Sequence, residues 1–89
     1  MPQRTVTVAS KVGLHARPAA VFVKKAGEQP VPVTLARDGG KPVNAKSMLA
    51  VMSLDVRGGE RVTLAAAEGE GAARAVDELA DLLETDLDG

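Results

Sequence analysis

The chain has no cysteine, no tryptophan and no tyrosine, and it has one phenylalanine and one histidine. Without cysteine there is neither a disulfide framework nor a thiolate metal site, which fits a cytoplasmic protein. One histidine and no thiol also speak against a transition-metal centre, so we expect no metal and no cofactor. The missing aromatics leave nothing to stack on a nucleic-acid base. With a pI of about 5.7 they make a nucleic-acid partner a poor expectation. No apolar run approaches the ~20 residues needed to cross a bilayer. The opening Met1-Pro2-Gln3-Arg4-Thr5-Val6 lacks the apolar stretch of a signal peptide. Cytoplasmic localisation without membrane insertion is the expectation.

What is present is aliphatic. Eighty-nine residues rich in Val, Leu and Ala make one small domain, 1–89, with a thin core of helices laid on one sheet. Arg4 to Ala9 alternates at period two and reads as a strand. A helix is expected over about Ala16 to Gly27. Ala19, Phe22, Val23 and Ala26 share one of its faces, Pro18 sits in the first turn, and Lys24 and Lys25 lie at the negative end of its dipole. Val31 to Ala36 alternates again, with Pro32 marking an edge or a strand start. Asp38-Gly39-Gly40 turns the chain into a short return strand over Lys41 to Asn44. Ser47 is placed to cap a short helix running to about Met52. A fourth strand spans Glu60 to Ala66. A last helix runs from Gly69 or Glu70 to Leu83, buries Val76, Leu79, Ala80 and Leu83, and pairs Glu70 with Arg74. Asp81, Glu84, Asp86 and Asp88 crowd its C-terminal end, where the dipole disfavours them, so the tail should fray. The order β-α-β-β-α-β-α predicts an α+β open-faced sandwich, a four-stranded antiparallel sheet with helices on one face.

Charge is divided along the chain. Residues 1–53 carry eight basic and two acidic side chains, and residues 54–89 carry three and ten. The basic half contains His15, in Gly13-Leu14-His15-Ala16-Arg17-Pro18-Ala19. A lone histidine before a helix is most often a surface or capping residue. This one has chemical company. A neutral imidazole, with an ordinary pKa of ~6.5, is a nucleophile near neutrality and needs no separate base to attack a phosphoryl donor. The helix starting at Ala16 offers unpaired amides, those of Ala16 and Arg17, to an anion. Arg17 adds a permanent cation that binds phosphate oxygens through two nitrogens. Gly13 supplies backbone freedom before His15 and lets a partner approach closely.

These residues resemble a known family. Gly13-Leu14-His15-Ala16-Arg17-Pro18-Ala19-Ala20 is similar to the active-site signature of the HPr family. These are the histidine-containing phosphocarrier proteins of the phosphoenolpyruvate-dependent sugar phosphotransferase system. Lys46-Ser47-Met48-Leu49-Ala50-Val51-Met52-Ser53-Leu54 resembles the family's second signature, around a regulatory serine. The resemblance covers essentially the whole chain. It implies that His15 takes a phosphoryl group on Nδ1 from enzyme I, with Arg17 assisting. It implies that His15 then gives the group to the IIA component of a sugar permease, so the chain carries a group in transit and is not a stand-alone enzyme. It implies that Ser47 is open to an ATP-dependent serine kinase, and that other regulatory proteins are partners. Exposed members of Met48, Leu49 and Met52 would form an adaptable apolar docking patch, ringed by Arg17, Lys24, Lys46 and Lys11. Read as helix residues alone, Leu49 and Met52 are also candidates for the core. A transient carrier of this kind is expected to be a monomer.

Three positions depart from the commonest sugar-branch pattern. Val12 replaces a polar residue, Asp55 stands where Gly is common, and the Gly39-Gly40 turn is one residue longer. Val12 and Asp55 also fit the nitrogen-related branch, whereas Lys46-Ser47 fits the sugar branch. Two other classes compete. One is an HPr-like regulatory module that acts through Ser47 without carrying phosphate, and the presence of His15 weighs against it. The other is a ferredoxin-like ligand- or RNA-binding domain, in which the His15–Arg17 string has no role.

Overall fold

The computed structural model describes residues 2–11 and 13–85. Val12, Asp86 and Asp88, and with them the expected fraying of the tail, lie outside the described residues. The elements follow in the order β1 (Gln3–Thr7), α1 (Ala16–Gly27), β2 (Val33–Arg37), β3 (Val43–Asn44), α2 (Met48–Ser53), β4 (Arg61–Ala66) and α3 (Ala72–Glu84). The four strands form one antiparallel sheet in the order β1-β4-β2-β3.

Period-two alternation gives the sheet its two faces. Val6, Val33, Leu35, Val62, Leu64 and Ala66 point into the core. The opposite face is polar, and on it Thr5 Oγ1 and Thr63 Oγ1 share a hydrogen bond of 2.8 Å. The apolar stripes of the helices cover the inward face. Ala19, Phe22 and Ala26 come from α1, and Ala72, Ala75, Val76, Leu79, Ala80 and Leu83 from α3. Phe22, the single aromatic, is fully buried among them.

Helix α1 has the expected limits, with Lys24 and Lys25 in its last turn. Pro32 precedes β2, whose interior place between β4 and β3 leaves it a strand start and not an edge. In α3 the structure departs from expectation. The helix begins at Ala72, so Glu70 lies outside it, and Arg74 pairs with Glu78 at 3.6 Å. The acids at its C-terminal end, unfavourable to the dipole, are drawn to β1. Arg4 reaches Asp81 at 3.0 Å, Glu84 at 2.7 Å and Asp77 at 3.6 Å.

One seam positions the segment before α1. Leu14 donates its amide to the Val56 carbonyl at 2.9 Å, and the Gly59 amide donates to Val8 at 3.0 Å. Gly13, at φ +71, makes the close approach possible. A β-carbon there would lie 2.1 Å from the Val56 carbonyl oxygen and 2.5 Å from Arg57 Cα. The freedom expected of Gly13 is real, and it admits the backbone of Val56 and Arg57.

Candidate functional site

His15 is the N-cap of α1, with extended backbone (φ −76, ψ −174) and no side-chain capping bond. Its carbonyl accepts the Ala19 amide at 2.8 Å, which closes the first turn. Its imidazole is exposed and makes no hydrogen bond to the described residues. Pro18 brings no donor, so the first-turn amides left without a helical acceptor are those of Ala16 and Arg17. No acidic side chain lies in that turn to compete for them. Arg17 is exposed and makes no ion pair with the described residues. An exposed nucleophilic ring, two free amides at the positive end of a helix and a free guanidinium thus lie within three consecutive residues. The arrangement suits a phosphoryl group bonded to the ring.

The imidazole opens on a shallow depression lined by Lys11, His15, Asp55, Arg57 and Gly58. Lys11 was anticipated beside the site. Asp55 and Arg57 were not, because they approach through the Leu14–Val56 seam, a contact between distant segments. The one local sign was Asp55 in a place usual for Gly. Its φ of +53 is the left-handed conformation that explains that preference. Glu60 fixes this segment: Oε1 accepts the Arg57 amide at 2.8 Å and Oε2 the Arg37 guanidinium at 2.7 Å. These donors, the Arg57 amide foremost and then Arg37, hold the Glu60 carboxyl below its usual pKa.

Helix α2 packs against α1 and carries the second set of predicted residues. Ser47 is its N-cap, half-buried, with Oγ accepting the Ala50 amide at 3.2 Å. Val51 is the α2 side chain buried in the core, and Met48 packs partly against it. Leu49 and Met52, candidates for the core from sequence, instead stand 83% and 40% exposed, since a six-residue helix presents only one face inward. Lys24 on α1 and Lys46 before α2 are exposed. Val21, 41% exposed on α1, lies away from these residues, in a shallow depression shared with Lys24, Lys25, Glu28 and Leu82 of α3. It was not singled out from sequence, although it falls off the buried stripe. No group of three or more potential ligands among the described residues is placed to hold a metal ion. No helix among them is long and apolar enough to cross a membrane.

Comparison with known proteins places this geometry. The family model described as PTS HPr component phosphorylation site matches residues 2–85. The chain is similar to the phosphocarrier protein HPr of Streptomyces coelicolor, 49% identical over 88 residues, covering 99% of this chain and 94% of that one. It is similar to the HPr-like protein Crh of Bacillus subtilis, 45% identical over 87 residues, covering 98% and 100%. Among solved structures, HPr-C-His from Thermoanaerobacter tengcongensis superposes with a TM-score of 0.89 at 40% identity, covering 100% of this chain and 98% of that one.

Proposed function

The chain belongs to the HPr family of phosphocarrier proteins, and on that premise we propose that His15 accepts a phosphoryl group on Nδ1 from phosphorylated enzyme I and passes it to the IIA component of a sugar permease. The observation that carries this reading is the exposed, unbonded imidazole at the N-cap of α1, immediately before two free amides and Arg17. In each transfer a nitrogen–phosphorus bond to the donor breaks as one to the acceptor forms. The chain's part is to present the ring and to balance charge on the phosphoryl oxygens. The Ala16 and Arg17 amides and the Arg17 guanidinium do the balancing. Such contacts must hold the group without trapping it, which exposed, solvent-screened contacts achieve.

Docking falls to the α1–α2 surface beside His15. Leu49, Met52 and the exposed part of Met48 offer adaptable apolar contact, and Lys24 and Lys46 attract acidic partners. A carrier that works through such transient contacts acts as a cytoplasmic monomer. Ser47 is the regulatory position. A phosphate there adds a charge of about −1.5 to −2 beside Lys46 and Met48 and weakens docking of an acidic partner. The Lys46-Ser47 pair favours the sugar branch over the nitrogen-related one.

Similarity to an HPr-like protein keeps a second reading in view, a regulatory module that acts through Ser47 and binds partners without carrying phosphate. Incubation with phosphoenolpyruvate and enzyme I separates the two. The carrier reading expects an acid-labile, base-stable label on the native chain and none on His15→Ala. A native chain that stays unlabelled, or a His15→Ala chain that labels equally, overturns it.

A further inference from the structure

The wall of the depression facing His15 holds a cation that the family motif does not supply. Arg57 is anchored through its backbone and loose at its tip. Its amide donates to Glu60 Oε1 at 2.8 Å, and its Cα packs against Gly13 across the seam. Among the described residues its guanidinium has one weak tie, Nη2 to Asp55 Oδ2 at 3.4 Å, with the two side chains 75% and 64% exposed. Arg57 and Asp55 line the same depression as His15 and Lys11.

Charge makes this pairing consequential. A phosphoryl group on His15 brings about two negative charges to a depression that already holds the Asp55 carboxylate. Left bare, Asp55 repels it. An arginine has five N–H donors in a planar fork, enough to serve a carboxylate and a phosphate together. The backbone tie to Glu60 keeps Arg57 at the wall while its long side chain remains free to turn.

We propose that Arg57 is a second phosphoryl-binding cation, resting on Asp55 in the unmodified protein and shared between Asp55 and the phosphoryl oxygens once His15 is phosphorylated. This assignment rests on the reading of His15 as the phosphorylated residue. Arg57 gives up no proton and forms no covalent bond. It favours the dianionic phosphoryl group and screens it from Asp55. Lys11, on the same rim, adds positive potential without the fork.

The test is a 31P NMR titration of chains labelled by enzyme I and phosphoenolpyruvate, following the second ionisation of the phosphoryl group. Removing one cation across an exposed cleft should raise the midpoint by about half a pH unit in Arg57→Ala. Arg57→Lys keeps the charge and should stay closer to the native midpoint than Arg57→Ala. Asp55→Asn removes a negative neighbour and should lower the midpoint. The Asp55→Asn/Arg57→Ala double variant should fall between the single variants. A native chain that takes no label overturns the reading of His15 and this proposal with it. A native chain that labels on His15, with coincident midpoints for native and Arg57→Ala, overturns the assignment of Arg57 alone.

Discussion

Gly13→Ala strikes the seam that sets His15 beside the 54–60 segment. The new methyl would meet backbone on its far side: the Val56 carbonyl oxygen at 2.1 Å, Arg57 Cα at 2.5 Å and Arg57 carbonyl carbon at 2.8 Å. None of these is the end of a flexible side chain, so the two segments must part. Parting them breaks the bond from the Leu14 amide to the Val56 carbonyl, between two buried residues, at a cost of about 1–3 kcal/mol for the groups left unpaired. Holding alanine at φ +71 adds about 1–2 kcal/mol. The sum is about 2–5 kcal/mol, and at 4–8 °C per kcal/mol for a domain of this size the midpoint should fall by at least about 8 °C. With no tryptophan or tyrosine in the chain, far-UV circular dichroism is the suitable probe of melting. A Gly13→Ala chain melting within about 3 °C of native would refute the seam as described.

Phe22→Ala empties the centre of the core, where the native ring is fully buried. It should cost about 3–5 kcal/mol in urea unfolding, and a loss under about 1 kcal/mol would show that the ring is not the keystone of α1 packing. Glu60 predicts an acid limit to order around residues 54–60. Its carboxyl is held below 4.5 chiefly by the Arg57 amide and then by Arg37. A depressed pKa in the folded state means that its contribution is fully present above the unfolded-state value and is lost as pH falls through the folded one. Carbon NMR should therefore find Glu60 titrating below the ordinary carboxylate range, with the Arg57 amide losing protection as it does. A midpoint at or above 4.5 would contradict the clasp that Glu60 makes with that amide.

How much the sequence disclosed depended on the range of the forces involved. Helix α1 was legible from end to end, because a stripe at helical spacing, Pro18 and the two terminal lysines are all local signals. Ser47 was legible as a cap for the same reason, and its bond to the Ala50 amide spans three residues. The sheet face followed from alternation alone. What escaped notice was set by partners far along the chain. The acids of α3 looked misplaced until Arg4 of β1 met them across 77 and 80 residues. Arg57 carries no local sign of nearness to His15, and Asp55 carries only its place in a position usual for Gly. They arrive there through the Leu14–Val56 seam, which no periodicity encodes. Leu49 and Met52 were ambiguous because a six-residue helix does not declare which face is covered, and packing against α1 and β3 decided it for Val51.

A chase experiment reads directly whether His15 holds a phosphoryl group in transit. The chain, labelled by enzyme I and phosphoenolpyruvate and then freed of both, is mixed with a IIA protein. The acid-labile label should leave His15 and appear on IIA in equal amount, more slowly from an Arg17→Ala chain. Label that stays on the chain, or is lost as free phosphate without appearing on IIA, would contradict transit through His15.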